Sequence, residues 1–265
     1  MSHRNVDAEQ EMSRLLDSGG TPPETEDPFV VDGTRLTPSQ IVVNLQPHMT
    51  EQRLQRIRDA VAERTRSVVP VVEGLVNTGN VSAVMRSAEA MAYQDFHVVK
   101  GDNERYKHSS RTAGGAEQWL DIWRWDAPAD CAAHLRDAGY RLVAMHLHAD
   151  TVPIREIDFT QPTAMVFGNE EAGVSEAMMD EVDAACVVPL PGFTESFNVS
   201  VAAAVALYHA PQDRLDRQGH HADLDPDEQT RLTARFCLRS VTHAKRILRR
   251  KMTEGALVSP PEGDE

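Results

Sequence analysis

The chain has 265 residues, 41% of them hydrophobic, and a formal net charge of −14 at pH 7, which suits one globular domain with extensions or two small domains. No stretch approaches the ~20 apolar residues that cross a bilayer, and the first residues lack the apolar core of a secretion signal, so we expect a cytoplasmic protein without a membrane partner. The three cysteines stand far apart and outside any metal-ligand spacing, which predicts reduced, buried thiols and no metal site.

Four segments follow one another along the chain. Residues 1–48 are predicted to be a disordered acidic arm, because the first 32 residues hold eight acids, two bases and few aromatic residues. Residues 49–215 are predicted to form the central α/β domain, which opens with a helix over "TEQRLQRIRDAVAERT", where Thr50 is the predicted N-cap. Residues 216–251 are predicted to be a basic helical extension with one final helix, and residues 252–265 are predicted to be a tail.

The central domain alternates short apolar runs with helical stretches. This alternation predicts a mostly parallel sheet with helices on both faces. Pro70 in the first run indicates an early or edge position, because proline cannot donate a hydrogen bond to a neighbouring strand. The predicted strands are "SVVPVVEGL", "DFHVVK", "YRLVAMHL", "TAMVF" and "AACVVPL".

Two stretches are basic although the chain as a whole is acidic. Arg231 to Lys251 holds eight basic residues and no acid, and Arg53 to Arg66 holds five arginines against two acids. Exposed helix faces usually mix both signs, so a run of one sign favours a partner that carries phosphates. A plain solvated face remains the alternative.

Three loops that follow predicted strands carry polar residues. "NTGNVSAVMR" holds Asn80 and Arg86, "FGNEEAGVS" holds Glu170, and "PLPGFTESFNVS" holds Ser196 and Asn198. Ligand sites of α/β proteins lie at such loops. Because Arg86 stands among small apolar residues, we expect a partly buried guanidinium with a fixed partner.

Each of these polar residues also has a purely structural interpretation. Asn80 and the polar pair of the third loop could be helix caps, and Glu170 could be a solvated loop acid. In the second loop, Gly168 would permit close approach of the backbone to a ligand, and Gly173 would permit a turn.

Taken together, the three loops resemble a known set of motifs. "NxxxxxR", "FGNEExG" and "SFNVSVA" are similar, in order and spacing, to the three motifs of the SpoU/TrmH family of SPOUT RNA ribose methyltransferases. "RTAGGAEQWLDI" resembles the glycine and tryptophan segment of that family, and "ARFCLRSVTHAKRIL" resembles the C-terminal helix of its TrmH branch, which modifies tRNA. The resemblance covers roughly residues 49–250.

The resemblance implies a deep trefoil-knotted α/β fold, S-adenosyl-L-methionine as methyl donor, a homodimer, and 2′-O-methylation of RNA without a metal. Two positions depart from the family pattern. Gly79 stands before the motif asparagine, where the family usually has a proline, and Ala92 stands at the end of the first-motif helix, where it usually has a glycine. The residues implied for catalysis are Asn80, Arg86, Glu170, Ser196 and Asn198. The residues implied for binding the methyl donor through their backbone are Leu147, Gly168, Val188, Pro189, Leu190 and Phe197.

The substrate that the TrmH branch implies is tRNA, with the D-loop guanosine at position 18 as the typical target. The two basic stretches agree with tRNA as a partner. Arg86 would either act as the base or stabilise negative charge on the attacking oxygen, and arginine is effectively always protonated. The residues expected to bind RNA are Arg53, Arg56, Arg111, Arg246, Arg249 and Arg250.

Other functions agree less well with the motifs. A nucleotide-binding oxidoreductase would need G-x-G-x-x-G after the first strand, and a hydrolase would need a G-x-S-x-G elbow; neither pattern is present at those places. Methylation of ribosomal RNA and a non-catalytic RNA-binding role on the same fold remain the alternatives.

Overall fold

The computed structural model describes residues 27–75, 77–100, 114–146 and 151–260. The described chain forms two compact units, residues 65–221 and residues 27–64 together with 222–260. The helix predicted to open the central domain therefore belongs to the other unit, and the boundary lies after residue 64 instead of residue 48. Among the described residues, no helix is long and apolar enough to cross a membrane.

The secondary structure elements are numbered in chain order. The strands are β1 Val30–Val31, β2 Thr34–Arg35, β3 Val68–Glu73, β4 Asp95–Val99, β5 Asp121–Trp125, β6 Arg141–Met145, β7 Val152–Pro153, β8 Thr163–Phe167 and β9 Ala184–Val187. The α-helices are α1 Pro38–Leu45, α2 Glu51–Ala62, α3 Thr78–Ala90, α4 Pro128–Asp137, α5 Glu176–Met179, α6 Val199–Gln218, α7 Pro226–Ser240 and α8 Ala244–Thr253.

Seven strands of the first unit form one parallel sheet. Their order across the sheet is β5-β4-β3-β8-β6-β9-β7, and each neighbouring pair is parallel. The prediction of a mostly parallel sheet is confirmed. Because parallel strands share their direction, the carboxyl ends of the four neighbours β3, β8, β6 and β9 lie side by side along one edge.

Helices cover both faces of this sheet, as predicted. On one face, Val72 packs with Val84 of α3 and Ala206 of α6. On the other face, Val71 packs with Leu135 of α4. Burial on both faces explains why the strands read as continuous apolar runs, and the three cysteines are free and buried as expected.

Pro70 lies in the first half of an interior strand, so the expected early position is found and the alternative of an edge strand is wrong. β3 pairs with β8 over Val68 to Val72, whereas its pairing with β4 begins only at Val71. The missing N–H of Pro70 therefore precedes the β3–β4 register, which explains how an interior strand accommodates a proline.

The second unit contains part of the arm that was predicted to be disordered. That prediction is wrong for residues 30–48, which form the β1–β2 hairpin, helix α1 and a short 3₁₀ turn; residues 1–26 lie outside the described residues. The segment is acidic overall but also contains apolar side chains that are buried. Their burial offsets the conformational entropy that the segment loses on folding. These buried residues are Phe29, Val31, Leu36, Ile41 and Leu45.

The basic C-terminal run forms two helices instead of the single one predicted. α7 ends at Ser240, Val241 is extended, and His243 is left-handed with φ of 61° before α8 begins at Ala244. A β-branched pair, Val241 and Thr242, is the only local signal for this break in the sequence.

The predicted tail is anchored at Val258. The Asn44 side chain donates to the carbonyl oxygen of Val258 at 2.8 Å and accepts from its N–H at 3.0 Å. Residues 261–265 lie outside the described residues.

Candidate active site

The predicted site residues follow strands whose carboxyl ends are neighbours in the sheet. Asn80 lies in the first turn of α3 after β3, Glu170 follows β8, and Asn198 precedes α6 after β9. The sheet therefore brings three loops that are distant in sequence to one edge, where ligands of open α/β sheets bind. Leu147 lies outside the described residues.

The loop after β8 is closed by its own hydrogen bonds. Asn169 and Gly173 exchange backbone hydrogen bonds of 2.8 and 2.9 Å. The Asn169 side-chain oxygen accepts from the N–H groups of Glu171 at 2.8 Å and Ala172 at 3.0 Å. Glu170 is exposed at the tip of this turn, where its carboxylate can reach the neighbouring loop.

Gly168 is needed for packing within the loop itself, and its predicted close approach to a ligand stays a prediction. A Cβ there would lie 2.2 Å from backbone atoms of Gly173 and Val174, so the close approach is to the chain itself and no other residue fits. Gly173 has φ of 72°, which agrees with the predicted turn.

A chain of hydrogen bonds joins the three motifs. Asn80 Nδ2 donates to Glu170 Oε1 at 2.5 Å, and Asn198 Nδ2 donates to Asn80 Oδ1 at 3.4 Å. The partners are 90 and 118 residues apart in sequence. Both ends of the Asn80 amide are thus occupied, which fixes its orientation.

Helix capping explains the position of Asn198 but not that of Asn80. The N-cap of α3 is Asn77, whose side chain accepts from the N–H of Gly79 at 2.8 Å, so Asn80 is free of that role. Asn198 caps α6, because its Oδ1 accepts from Ser200 N at 3.0 Å. Its Nδ2 remains available for Asn80.

Arg86 differs from its prediction, because its side chain is exposed and makes no hydrogen bond with another described residue. Its neighbours Val84, Met85 and Ala88 occupy the buried face of α3, which leaves Arg86 toward solvent. The guanidinium carbon would lie 3.7 Å from a Cβ built on Gly114. Within the described residues, Arg86 is therefore outside the hydrogen-bonded chain of Asn80, Glu170 and Asn198.

The loop from Val188 to Phe197 connects β9 to the N-cap of α6. Among the described residues, none of its N–H and C=O groups bonds to another backbone group. Val188 packs against the core, Pro189 is exposed, Leu190 is partly exposed and Phe197 is 41% exposed. Ser196 is exposed as well and makes no hydrogen bond with a described residue.

The described arginines that were predicted to bind RNA lie in the second unit. Arg56, Arg246 and Arg250 are exposed, and Arg53 donates to Ser240 Oγ at 3.3 Å. Arg249 is paired, because its guanidinium binds both carboxylate oxygens of Asp32 at 2.6 and 2.5 Å. Arg111 lies outside the described residues.

Sequence reasoning missed Asn169, which shapes the acidic loop. An asparagine directly after a strand, followed by small or polar residues, is a signal for a side chain that bonds to backbone two residues further on. No group of three or more His, Cys, Asp or Glu among the described residues could hold a metal ion.

The fold and this edge define an α/β protein with three polar loops at the carboxyl ends of parallel strands, where open α/β sheets bind their ligands. A family model described as the SpoU rRNA Methylase family matches residues 67–208. This match covers more than half of the chain, and the protein therefore belongs to the SpoU rRNA methylase family.

Known relatives agree with this assignment. The tRNA (guanosine(18)-2′-O)-methyltransferase of Aquifex aeolicus is 30% identical over 167 residues, which cover 63% of this chain and 79% of that protein. The crystal structure of the A. aeolicus TrmH/SpoU tRNA modifying enzyme has a TM-score of 0.66 at 27% identity, covering 72% of this chain and 98% of that one. The SpoU methyltransferase AviRb from Streptomyces viridochromogenes in complex with AdoMet has a TM-score of 0.52 at 28% identity, covering 60% and 64%.

These solved structures support the SPOUT fold that the motifs implied. The trefoil knot itself stays a prediction.

Proposed function

We propose that the protein transfers a methyl group from S-adenosyl-L-methionine to the ribose 2′-hydroxyl of a tRNA nucleotide, the D-loop guanosine at position 18. The hydrogen-bonded chain from Asn198 through Asn80 to Glu170 carries the proposal, because it unites the three motifs at one edge of the sheet. The A. aeolicus relative, which is named for the same reaction, supports the substrate.

The loops of this edge fit a methyl donor that is held by backbone. The N–H and C=O groups from Val188 to Phe197, which bond to no other backbone group of the described residues, can bond to the adenosine and methionine parts of S-adenosyl-L-methionine. When bound, this group supplies an electrophilic methyl on its sulfonium sulfur. The AviRb enzyme, which was crystallised with AdoMet, supports this assignment.

The chain must orient the ribose hydroxyl and offset the charge that develops on its oxygen. The exposed guanidinium of Arg86 suits an RNA phosphate and the developing alkoxide. A guanidinium keeps its proton in proteins, so we assign Arg86 to charge stabilisation, and the base to a phosphate oxygen or water beside it. Asn80 and Glu170 hold the loops in register for alignment of the reacting atoms, and Ser196 lies in the same loop as Asn198, where it can reach the ribose.

A second copy of the chain is the proposed partner of α6. The exposed apolar side chains Phe197, Val201, Val205 and Tyr208 recur every three or four residues, with exposed fractions of 41%, 46%, 38% and 59%. Val201, Val205 and Tyr208 lie along one face of α6, and Phe197 lies just before its N-cap Asn198. A continuous exposed apolar stripe marks an interface. A homodimer packed through α6 would bury it.

The basic helices are the proposed docking surface for tRNA. Arg53 and Arg56 on α2, with Arg246 and Arg250 on α8, present cations to solvent. Ribosomal RNA is the second candidate substrate, because the matched family is described as an rRNA methylase family. We place the reaction in the cytoplasm, where both RNAs are found.

One experiment separates these substrates. Purified protein is incubated with isotopically labelled S-adenosyl-L-methionine and either tRNA or ribosomal RNA, and nucleosides are then analysed by mass spectrometry. We expect labelled 2′-O-methylguanosine from tRNA, mapped to position 18. Label in ribosomal RNA alone would favour the second candidate, and no label in either RNA would favour a non-catalytic binding role.

A further inference from the structure

A buried acid ends the strand that leads into the first motif. Glu73 is the last residue of β3 and is only 4% exposed. Val69 and Val71 of the same strand belong to the core formed with α4 and α5. Because strand side chains alternate, Glu73 continues their row. A carboxylate at a position of this kind costs free energy unless its oxygens are hydrogen-bonded, so its partners matter.

Both carboxylate oxygens of Glu73 bind one residue. Ser175 Oγ donates to Glu73 Oε1 at 2.5 Å, and Ser175 N donates to Glu73 Oε2 at 3.0 Å. Ser175 Oγ also accepts from Met178 N at 3.1 Å as the N-cap of α5. Ser175 ends the acidic loop "FGNEEAGVS", so Glu73 fixes the C-terminal side of that loop.

The other side of the loop is fixed to the next residue of the same strand end. Asn169 Nδ2 donates to the carbonyl oxygen of Gly74 at 2.7 Å. Glu73 and Gly74 therefore hold both sides of the loop, and Glu170 lies between these two attachments. The position of the Glu170 carboxylate against Asn80 depends on them.

We propose that Glu73 is a positioning residue for Glu170, acting through Ser175. Its effect on catalysis rests on the proposed methyl transfer, whereas its effect on the loop does not. Replacing Glu73 with glutamine keeps the size of the side chain and one acceptor oxygen. A glutamine whose oxygen accepts from the Ser175 N–H turns its NH₂ group toward Ser175 Oγ, so the hydroxyl can no longer donate to position 73 and the charge-assisted character of both bonds is lost.

The kinetic test compares Glu73→Gln, Glu170→Gln and the double variant. Asp121→Asn is the matched control, because Asp121 is 3% exposed and hydrogen-bonded to Arg66 at 2.9 Å, but begins β5 at the opposite end of the strands. We expect Glu73→Gln to lower kcat for tRNA about tenfold, which corresponds to one charge-assisted hydrogen bond, with KM for tRNA changed less than about threefold.

The double variant decides whether the two acids act as one unit. It should be no slower than Glu170→Gln alone, because both changes remove the same contact. Asp121→Asn should leave kcat unchanged, alone and combined with Glu170→Gln. The proposal would be overturned if the double variant lost kcat by the product of the two single losses. An unchanged kcat in Glu73→Gln would overturn it as well.

A second readout does not need activity. Hydrogen exchange of the backbone amides of Glu171 to Ser175 should rise at least tenfold in Glu73→Gln and stay unchanged in Asp121→Asn. If the parent methylates no RNA, the proposed function fails, and this measurement still decides the role of Glu73. Exchange in Glu73→Gln equal to that of the parent overturns the positioning role.

Discussion

The side-chain amide of Asn80 donates to the carboxylate of Glu170 across 90 residues of sequence. Asn80→Asp would set a second carboxylate against Glu170, which replaces a hydrogen bond by repulsion between like charges. We expect methyl transfer to fall by about 10- to 150-fold, the equivalent of about 1.5–3 kcal/mol. Initial rates with saturating tRNA measure this.

The matched control for that variant is Asn77→Asp. Asn77 is the N-cap of the same helix and accepts from Gly79 N, and aspartate caps helices as well as asparagine does. Its activity should stay within about threefold of the parent. Equal losses in the two variants would mean that the first turn of α3 is sensitive to any added charge and that the Asn80 contact has no special role.

Arg86→Ala should abolish methyl transfer and leave the fold and the binding of S-adenosyl-L-methionine intact. The side chain is exposed, so the free energy of unfolding should change by no more than about 0.5 kcal/mol. Calorimetric titration with the methyl donor and a single-turnover assay give the two readouts. Near-parental turnover by folded Arg86→Ala would remove Arg86 from the proposed mechanism.

The exposed stripe on α6 should hold two copies together. Val205→Glu would place a charge in that interface and produce monomers at micromolar concentration in sedimentation equilibrium, whereas the parent should be a dimer. Val258→Glu is the control, because Val258 is an equally apolar residue with 48% exposure in the other unit. A monomeric parent would contradict the proposed assembly.

Asp32 forms an ion pair with Arg249, one of the arginines predicted from the sequence to bind RNA. Because its carboxylate binds Arg249 through both oxygens, Asp32→Asn should tighten tRNA binding and steepen its salt dependence by up to about 0.9 in the log–log slope, the value for one phosphate contact on duplex DNA. Filter binding at several salt concentrations measures both quantities.

The triple variant Arg246→Ala, Arg249→Ala, Arg250→Ala tests the same surface in the opposite direction, by removing cations. It should weaken tRNA binding, flatten the slope, and make Asp32→Asn silent. A slope equal to that of the parent would mean that Arg246, Arg249 and Arg250 do not contact tRNA. The docking surface would then lie at Arg53 and Arg56.

His97 should make the protein less stable in mild acid. It is 2% exposed, its Nδ1 accepts from Trp125 Nε1 at 3.0 Å, and burial together with the neighbouring His134 lowers the pKa of His97 to about 3. The unfolded chain binds a proton near pH 6.5 whereas the folded one does not, so stability is lost as pH falls from about 6.5 toward 3.

That loss amounts to about 1.4 kcal/mol per pH unit from this one site. His97→Gln keeps an acceptor for Trp125 and removes the proton uptake. Urea unfolding at pH 7.5, 5.5 and 4.5 should therefore show a shallower acid dependence in the variant. Parallel curves for both proteins would show that His97 takes up its proton in the folded state too.

The sequence predicted those features that depend on spacing along the chain. Asn80, Glu170 and Asn198 could be chosen because each follows an apolar run, and parallel strands carry such residues to one edge. It did not predict the exposure of Arg86, which depends on the face of α3 that packs inward.

Features that depend on tertiary contacts were harder to predict. The hairpin with Asp32 and Gly33 was hidden by acidic composition, although Asp-Gly between short apolar runs is a turn signal. Glu73 reads as the polar end of a strand, and nothing local shows that Ser175, 102 residues later, will meet it.

The clasp between Asn44 and Val258 bears on how shortened or fused versions of this protein should be made. Asn44 is fully buried, and both of its contacts to Val258 disappear if the chain is cut before that residue. A shortened chain that ends near Gly255 would lose these two hydrogen bonds, at a cost of about 1–3 kcal/mol for the pair, even though the removed residues look dispensable. Asn44 would keep its bonds to the carbonyl oxygen of Gln40 at 2.8 Å and to Lys251 Nζ at 3.2 Å. Purification tags belong beyond Pro260, where the clasp is already closed.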